Sequence, residues 1–160
     1  MFELKPLSPE AIPAALEKAN RYRLLNEPSA AESIYLDILT VDPDNQEAIK
    51  NIVLAMSDRF GKDYAVGNTH INEYVAKLRD EYQRAYYTGI VYERRAKANL
   101  AKGGLQTYEL FVQAMEWFER AEAIRPDGID DPILRWNVCA RIINRNKLQP
   151  HVMSAGDTLE

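Results

Sequence analysis

The chain has 160 residues, enough for one domain with a real core and too few for two ordinary ones. Hydrophobic residues at 46% and charged residues at 28% exclude a disordered chain, and a net charge of −4 removes bulk attraction to nucleic acid or acidic membranes. The single cysteine, Cys139, excludes an internal disulfide and suits a reducing compartment, so a cytoplasmic protein is the expectation.

The N-terminal stretch carries Glu3, Pro6, Pro9, Glu10 and Pro13, which differs from the basic start and apolar run of a signal peptide. No segment approaches the roughly 18 to 20 apolar residues needed to cross a bilayer, so membrane insertion is not expected. From about Pro13 to Asn26, Leu16, Ala19, Tyr22 and Leu24 recur between charged residues, which predicts an amphipathic helix. Asn26-Glu27-Pro28-Ser29 breaks it, and Pro28 is suited to open the next helix. Ala30 to Thr40 then places Ala31, Ile34, Tyr35 and Ile38 on one stripe. Asp42-Pro43-Asp44-Asn45 stops that helix and caps a third, from about Gln46 to Arg59.

Gly61-Lys62-Asp63 predicts a long loop to about Thr69, followed by a helix from about His70 to Arg79. Further on, a spaced pattern repeats. Ala31, Tyr35, Ile38 and Pro43 recur 83 residues later as Ala114, Phe118, Ala121 and Pro126, at the same intervals. Self-similarity of this kind marks a repeat array.

These residues resemble the tetratricopeptide repeat, a helical hairpin of about 34 residues with small residues, aromatics and a closing proline at set places. The first repeat supplies Ala19, Tyr22, Ala31, Tyr35 and Pro43, and the third supplies Gly89, Tyr92, Ala114, Phe118 and Pro126. The middle repeat is degenerate and has no closing proline. Small residues let the two helices approach while the aromatic fills the adjacent groove. The resemblance implies an all-α, right-handed helical-hairpin solenoid of about three repeats plus a C-terminal capping helix. It covers about Pro13 to Asn144.

Two periods account for about 68 of the 83 residues. Tyr22 to Ala31 is nine residues and Tyr92 to Ala114 is 22, so the surplus falls inside the third hairpin. Both flanks remain helix-like around Gly103-Gly104, which predicts two lengthened helices and a tight turn. A final helix from about Asp131 to Asn144 is expected to cap the stack. The expected organisation is one domain over residues 1–146 and a mobile tail over 147–160.

Catalytic chemistry is not expected. His70 and His151 stand apart from other ligands, and Cys139 lies in an apolar stripe, so neither a metal site nor a cofactor is expected. Gly103-Gly104 lacks the Lys-Ser or Lys-Thr of a phosphate loop. Arg84, Arg94 and Arg95 interleave with Tyr82, Tyr86, Tyr87 and Tyr92, as in single-strand binders, but Glu81 and Glu93 lie among them and the chain is acidic. No nucleic-acid partner is therefore expected.

The resemblance implies a protein or peptide partner held in a concave groove lined by the first helix of each repeat. By repeat phase the groove residues are Asn20 and Arg23, then Lys50 and Asn51, then Tyr86, Tyr87, Ile90 and Arg94, and Asn137 from the cap. Family members that clamp acidic chaperone tails use cations where this chain has Leu16, Tyr86 and Ile90, so that specialisation is not expected. The alternatives are a self-associating homo-oligomeric scaffold and a small-molecule site between Gly61 and His70.

Overall fold

Proline and Asx residues set where the helices begin, and apolar stripes set how they pack. The structure is a computed structural model and describes residues 1–62 and 68–152, the side chains of residues 68 and 69 excepted. Among the described residues all regular secondary structure is helical. A 3₁₀ turn at Pro9–Ala11 leads into α1 (Ile12–Leu24), followed by α2 (Pro28–Val41), α3 (Gln46–Asp58), α4 (Asn68–Ala76), α5 (Glu81–Ala101), α6 (Thr107–Ile124) and α7 (Asp131–Asn146).

The start and stop signals operate locally. Pro28 occupies the first turn of α2, and Asn26, at φ 60, lets the Glu27 N–H donate back to Tyr22 O at 2.9 Å. Asn45 Oδ1 accepts from Ala48 N at 3.0 Å, and Asp80 Oδ1 accepts from Tyr82 N at 3.0 Å, which caps α3 and α5. The helix expected to reach Arg79 stops at Ala76. Beyond it Arg84 Nη1 donates to the carbonyls of Leu78 and Arg79 at 2.7 and 2.9 Å, satisfying the end of the segment from the next helix. Most of the loop expected between Gly61 and Thr69 lies outside the described residues, as does most of the small-molecule site considered there.

The third hairpin is the long one. Its helices have 21 and 18 residues, against 13 and 14 in the first, and they turn at Gly103, where φ is 67. The small residues sit where two helices must meet. Ala19, Ala31, Ala48, Ala114 and Ala121 are fully buried. A Cβ at Gly89 would lie 2.6 Å from Phe118 Cε1, so only glycine lets α5 approach that ring.

Each helix packs on its chain neighbours: α1 on α2, α2 on α3, α3 on α4, α5 on α6, and α6 on α7. The odd-numbered helices also touch in succession, α1 to α3 to α5 to α7. One core cluster centres on Tyr35, Ile49 and Ile52, and a second on Phe111, Phe118 and Cys139. At the C-terminus Lys147 takes φ 51, Leu148 packs on the second cluster, and the His151 N–H donates to Glu109 Oε1 at 2.6 Å. Of the tail expected to be mobile, Leu148 and His151 touch the helices, and residues 153–160 lie outside the described residues.

Candidate functional site

The row of odd helices presents one face built from four short stripes. On α1, Asn20 Oδ1 accepts the Tyr35 hydroxyl, which orients its amide from below. Arg23 donates through Nε to Asp58 Oδ2 at 3.2 Å. Arg94 on α5 reaches the same carboxylate, Nη1 to Oδ1 at 2.9 Å, and also donates to Leu54 O at 2.7 Å and Ser57 Oγ at 2.8 Å. Burial pulls the Arg94 guanidinium down from its usual range, and Asp58 works against that shift. One aspartate on α3 thus joins α1 and α5 and is shared by two cations expected to meet a ligand, which leaves the trio with one net positive charge.

Lys50 pairs with Glu47 at 2.6 Å, and Asn51 Nδ2 donates to Glu47 O at 2.8 Å, leaving the Asn51 carbonyl oxygen available. Ile90 is only 5% exposed and packs in the second core cluster, so its side chain offers a ligand little surface. Asn137 is half-buried on α7. Arg84 bonds the Leu78 and Arg79 carbonyls of the turn after α4, Arg94 is tied to α3, and Arg95 lies over the Phe60 and Tyr92 rings at 5.2 and 5.8 Å. The three arginines that alternate with tyrosines in the sequence therefore serve three separate places.

The centre of the face is aromatic. Tyr82 and Tyr86 stack with centroids 5.9 Å apart and planes 18° off parallel, and Tyr87 meets Tyr86 edge-on at 5.2 Å. Phe118 supports Tyr86 from α6 at 5.9 Å. Burial pushes the Tyr82 and Tyr86 hydroxyls up to about 12, and the Asp131 carboxylate adds to the shift in both. Tyr87 is raised chiefly by burial, with Lys50 pulling the other way. At neutral pH all three hydroxyls are therefore protonated donors. Among the described residues none of them has a hydrogen-bond partner.

Asp131, the first residue of α7, is exposed beside this cluster, and among the described residues no basic side chain lies within ion-pair distance of it. Leu134, one turn on, is 59% exposed. Beneath them Glu93 is fully buried and held by Arg135 Nε at 3.0 Å and Lys97 Nζ at 2.9 Å. Cys139 Sγ lies 3.7 Å from Glu93 Oε1, and burial followed by the Glu93 charge pushes the thiol up to about 12. That thiol is a packing group and lacks the thiolate character of a nucleophile.

Asp58, Glu93 and Asp131 carry much of the face's electrostatics and were not among the residues expected from repeat phase. Asp58 was within reach, since it lies one helical turn beyond Leu54 on the stripe that carries Asn51. Glu93 and Asp131 gave no such signal, because their importance depends on which neighbouring helix supplies or withholds a cation. Among the described residues no group of three His, Cys, Asp or Glu side chains is placed to hold a metal ion. No helix of the described residues is long and apolar enough to cross a membrane. No family model, curated protein or solved structure matches the chain.

Proposed function

We propose that the chain is a tetratricopeptide-like helical-hairpin array, and that its odd-helix face is a groove holding an extended segment of a partner protein. The observation that carries the reading is the cluster of Tyr82, Tyr86 and Tyr87, packed together in the middle of that face with hydroxyls that have no hydrogen-bond partner among the described residues. Tyrosine supplies contact area at low entropic cost and a hydroxyl that can donate to a peptide carbonyl. Asn51 adds an amide on one side, and Asp131 and Leu134 add a free carboxylate and an apolar side chain on the other.

The charges favour a particular partner. Arg23 and Arg94 share Asp58, Lys50 pairs with Glu47 and Arg135 with Glu93, so each of these cations already has a carboxylate partner, whereas among the described residues Asp131 has no ion-pair partner. A segment with a lysine or arginine beside an apolar residue suits this face better than an acidic one. Its cation would meet Asp131 and the tyrosine π-faces together.

Selection of a displayed peptide library on the protein tests the reading. The expected result is enrichment of peptides pairing a basic with an apolar or aromatic residue, lost in the Tyr86→Ala, Tyr87→Ala double variant and inverted towards acidic peptides by Asp131→Lys. Equal enrichment on the wild type and the double variant would refute groove binding.

A further inference from the structure

The side of α5 opposite the tyrosine cluster carries a second surface. Glu81, Ala85, Thr88 and Tyr92 follow one another at helical spacing and face away from Tyr82, Tyr86 and Ile90. They form the floor of a cleft of about 780 Å³, walled by α4 on one side and α6 on the other. Among the described residues the cleft lies between a short α4 and a long α6. With nine residues α4 packs on α3 and α5, while the 18-residue α6 packs on α5 and α7, and the outer edge of α5 is left open between them.

Its shape is that of a missing helix. The floor from Glu81 to Tyr92 runs about 16 Å at 1.5 Å per residue, or three turns. The small side chains Ala85 and Thr88 on the floor, with Ala76 and Ala123 on the walls, permit the approach of 8 to 10 Å at which helices pack. Half-buried Trp117, Tyr92 and the 45% exposed Ile124 supply anchors of the kind that dominate helix-in-groove binding.

Its two arginines, Arg84 and Arg120, outnumber its one carboxylate, Glu81, and among the described residues none of the three has an ion-pair partner. The Arg120 guanidinium lies over the Trp117 ring at 4.3 Å, and among the described residues no carboxylate lies within ion-pair distance of it. Arg84 donates to two backbone carbonyls, and among the described residues no carboxylate lies within ion-pair distance of it either. The odd-helix face differs, since its arginines are paired with Asp58 and Glu93.

We propose that this cleft is a second docking site, for an amphipathic helix of about three turns from a partner protein, with its apolar stripe on Trp117 and Ile124 and flanking carboxylates on Arg84 and Arg120. The site is independent of the groove: its residues lie on the other side of α5, so either surface can fail without the other. A helix bound here would sit beside α4 and α6 as a further outer helix.

The test uses a synthetic helical peptide of about 14 residues, with leucines one face apart and glutamates on both flanks, and its lysine-flanked counterpart. Trp136→Phe makes Trp117 the only tryptophan, so its emission reports the cleft. The expected result is a saturable emission shift with the glutamate peptide, at least about tenfold weaker in Arg120→Glu and recovered there by the lysine peptide. Arg120 is exposed, so this variant keeps the fold, and recovery by the lysine peptide excludes a folding defect. Equal binding of both peptides to the wild type, or no shift with either, overturns the proposal. So does a shift of Trp117 emission on removing residues 153–160 or on raising protein concentration, since the occupant is then this chain's own terminus or a second copy.

Discussion

Arg94 on α5 donates to Asp58 on α3 at 2.9 Å while Arg23 on α1 donates to the other oxygen of the same carboxylate at 3.2 Å. Three odd helices are thereby fastened through one side chain that is about one quarter exposed. Removing it leaves two guanidiniums facing each other, one of them in partly desolvated surroundings. Asp58→Ala should cost about 1–3 kcal/mol, less than a fully buried pair because solvent screens part of the interaction. Urea denaturation at low and high salt checks this; a loss under about 0.5 kcal/mol would mean that the carboxylate does not fasten the row.

Gly89 and Phe118 make a second, purely steric prediction. A methyl group at position 89 would meet the Phe118 ring at 2.6 Å, within a packed core that cannot shift freely. Gly89→Ala should destabilise by about 1–3 kcal/mol despite the better helix propensity of alanine. Adding Phe118→Leu should return part of that loss, so the two changes should be non-additive in the denaturation midpoint. Additive losses would show that the two residues do not oppose each other.

Glu93 and Cys139 can be tested together. The carboxylate is fully buried and compensated by Arg135 and Lys97, so Glu93→Ala leaves two cations unmatched and should cost about 3 kcal/mol. The Cys139 thiol should resist a disulfide reagent at about pH 8 in the native protein and react only on unfolding. Rapid native-state labelling would contradict its burial.

Stability should fall on the alkaline side. Burial raises Cys139 from 9.0, and Tyr35, Tyr82 and Tyr86 from 10.0, each to about 12. Between pH 9 and 12 the native state therefore keeps protons that the unfolded chain has lost, which makes the slope of stability with pH negative. The contribution is fully present below pH 9 and is lost as pH rises through about 12. Thermal midpoints measured from pH 7 upward should decline through this window; a midpoint unchanged up to about pH 11 would contradict it.

Much of the helical layout was legible in the sequence because its signals are local. Pro28, Asn45 and Asp130-Asp131 mark helix starts within a residue or two, and the 22-residue interval from Tyr92 to Ala114 pointed to the long α5–α6 hairpin. Ala31, Ala114 and Gly89 announced close approaches through their size alone. The early end of α4 at Ala76 was not legible: the chain leaves it through tight turns, Lys77 N–H to Tyr74 O at 3.0 Å and Leu78 N–H to Val75 O at 3.1 Å, which the apolar stripe running on to Leu78 does not signal. The contacts of the expected groove residues were less legible. Repeat phase named Tyr86, Tyr87 and Asn51, which lie on odd-numbered helices, but Ile90 turns into the core and Arg23 and Arg94 are taken by Asp58. Those outcomes depend on contacts between helices more than 30 residues apart, which no local period encodes.

The central claim, that the odd-helix face receives a partner segment, is tested most directly by site-specific photocrosslinking in the cells that make the protein. A benzophenone side chain in place of Asn51, on that face, should give a discrete adduct with another protein, and the adduct should disappear when Tyr86 and Tyr87 are both changed to alanine. The same probe in place of Leu36, on the exposed side of α2, should give none. Adducts that persist at position 51 without the two tyrosines, or that form only at position 36, would contradict the account.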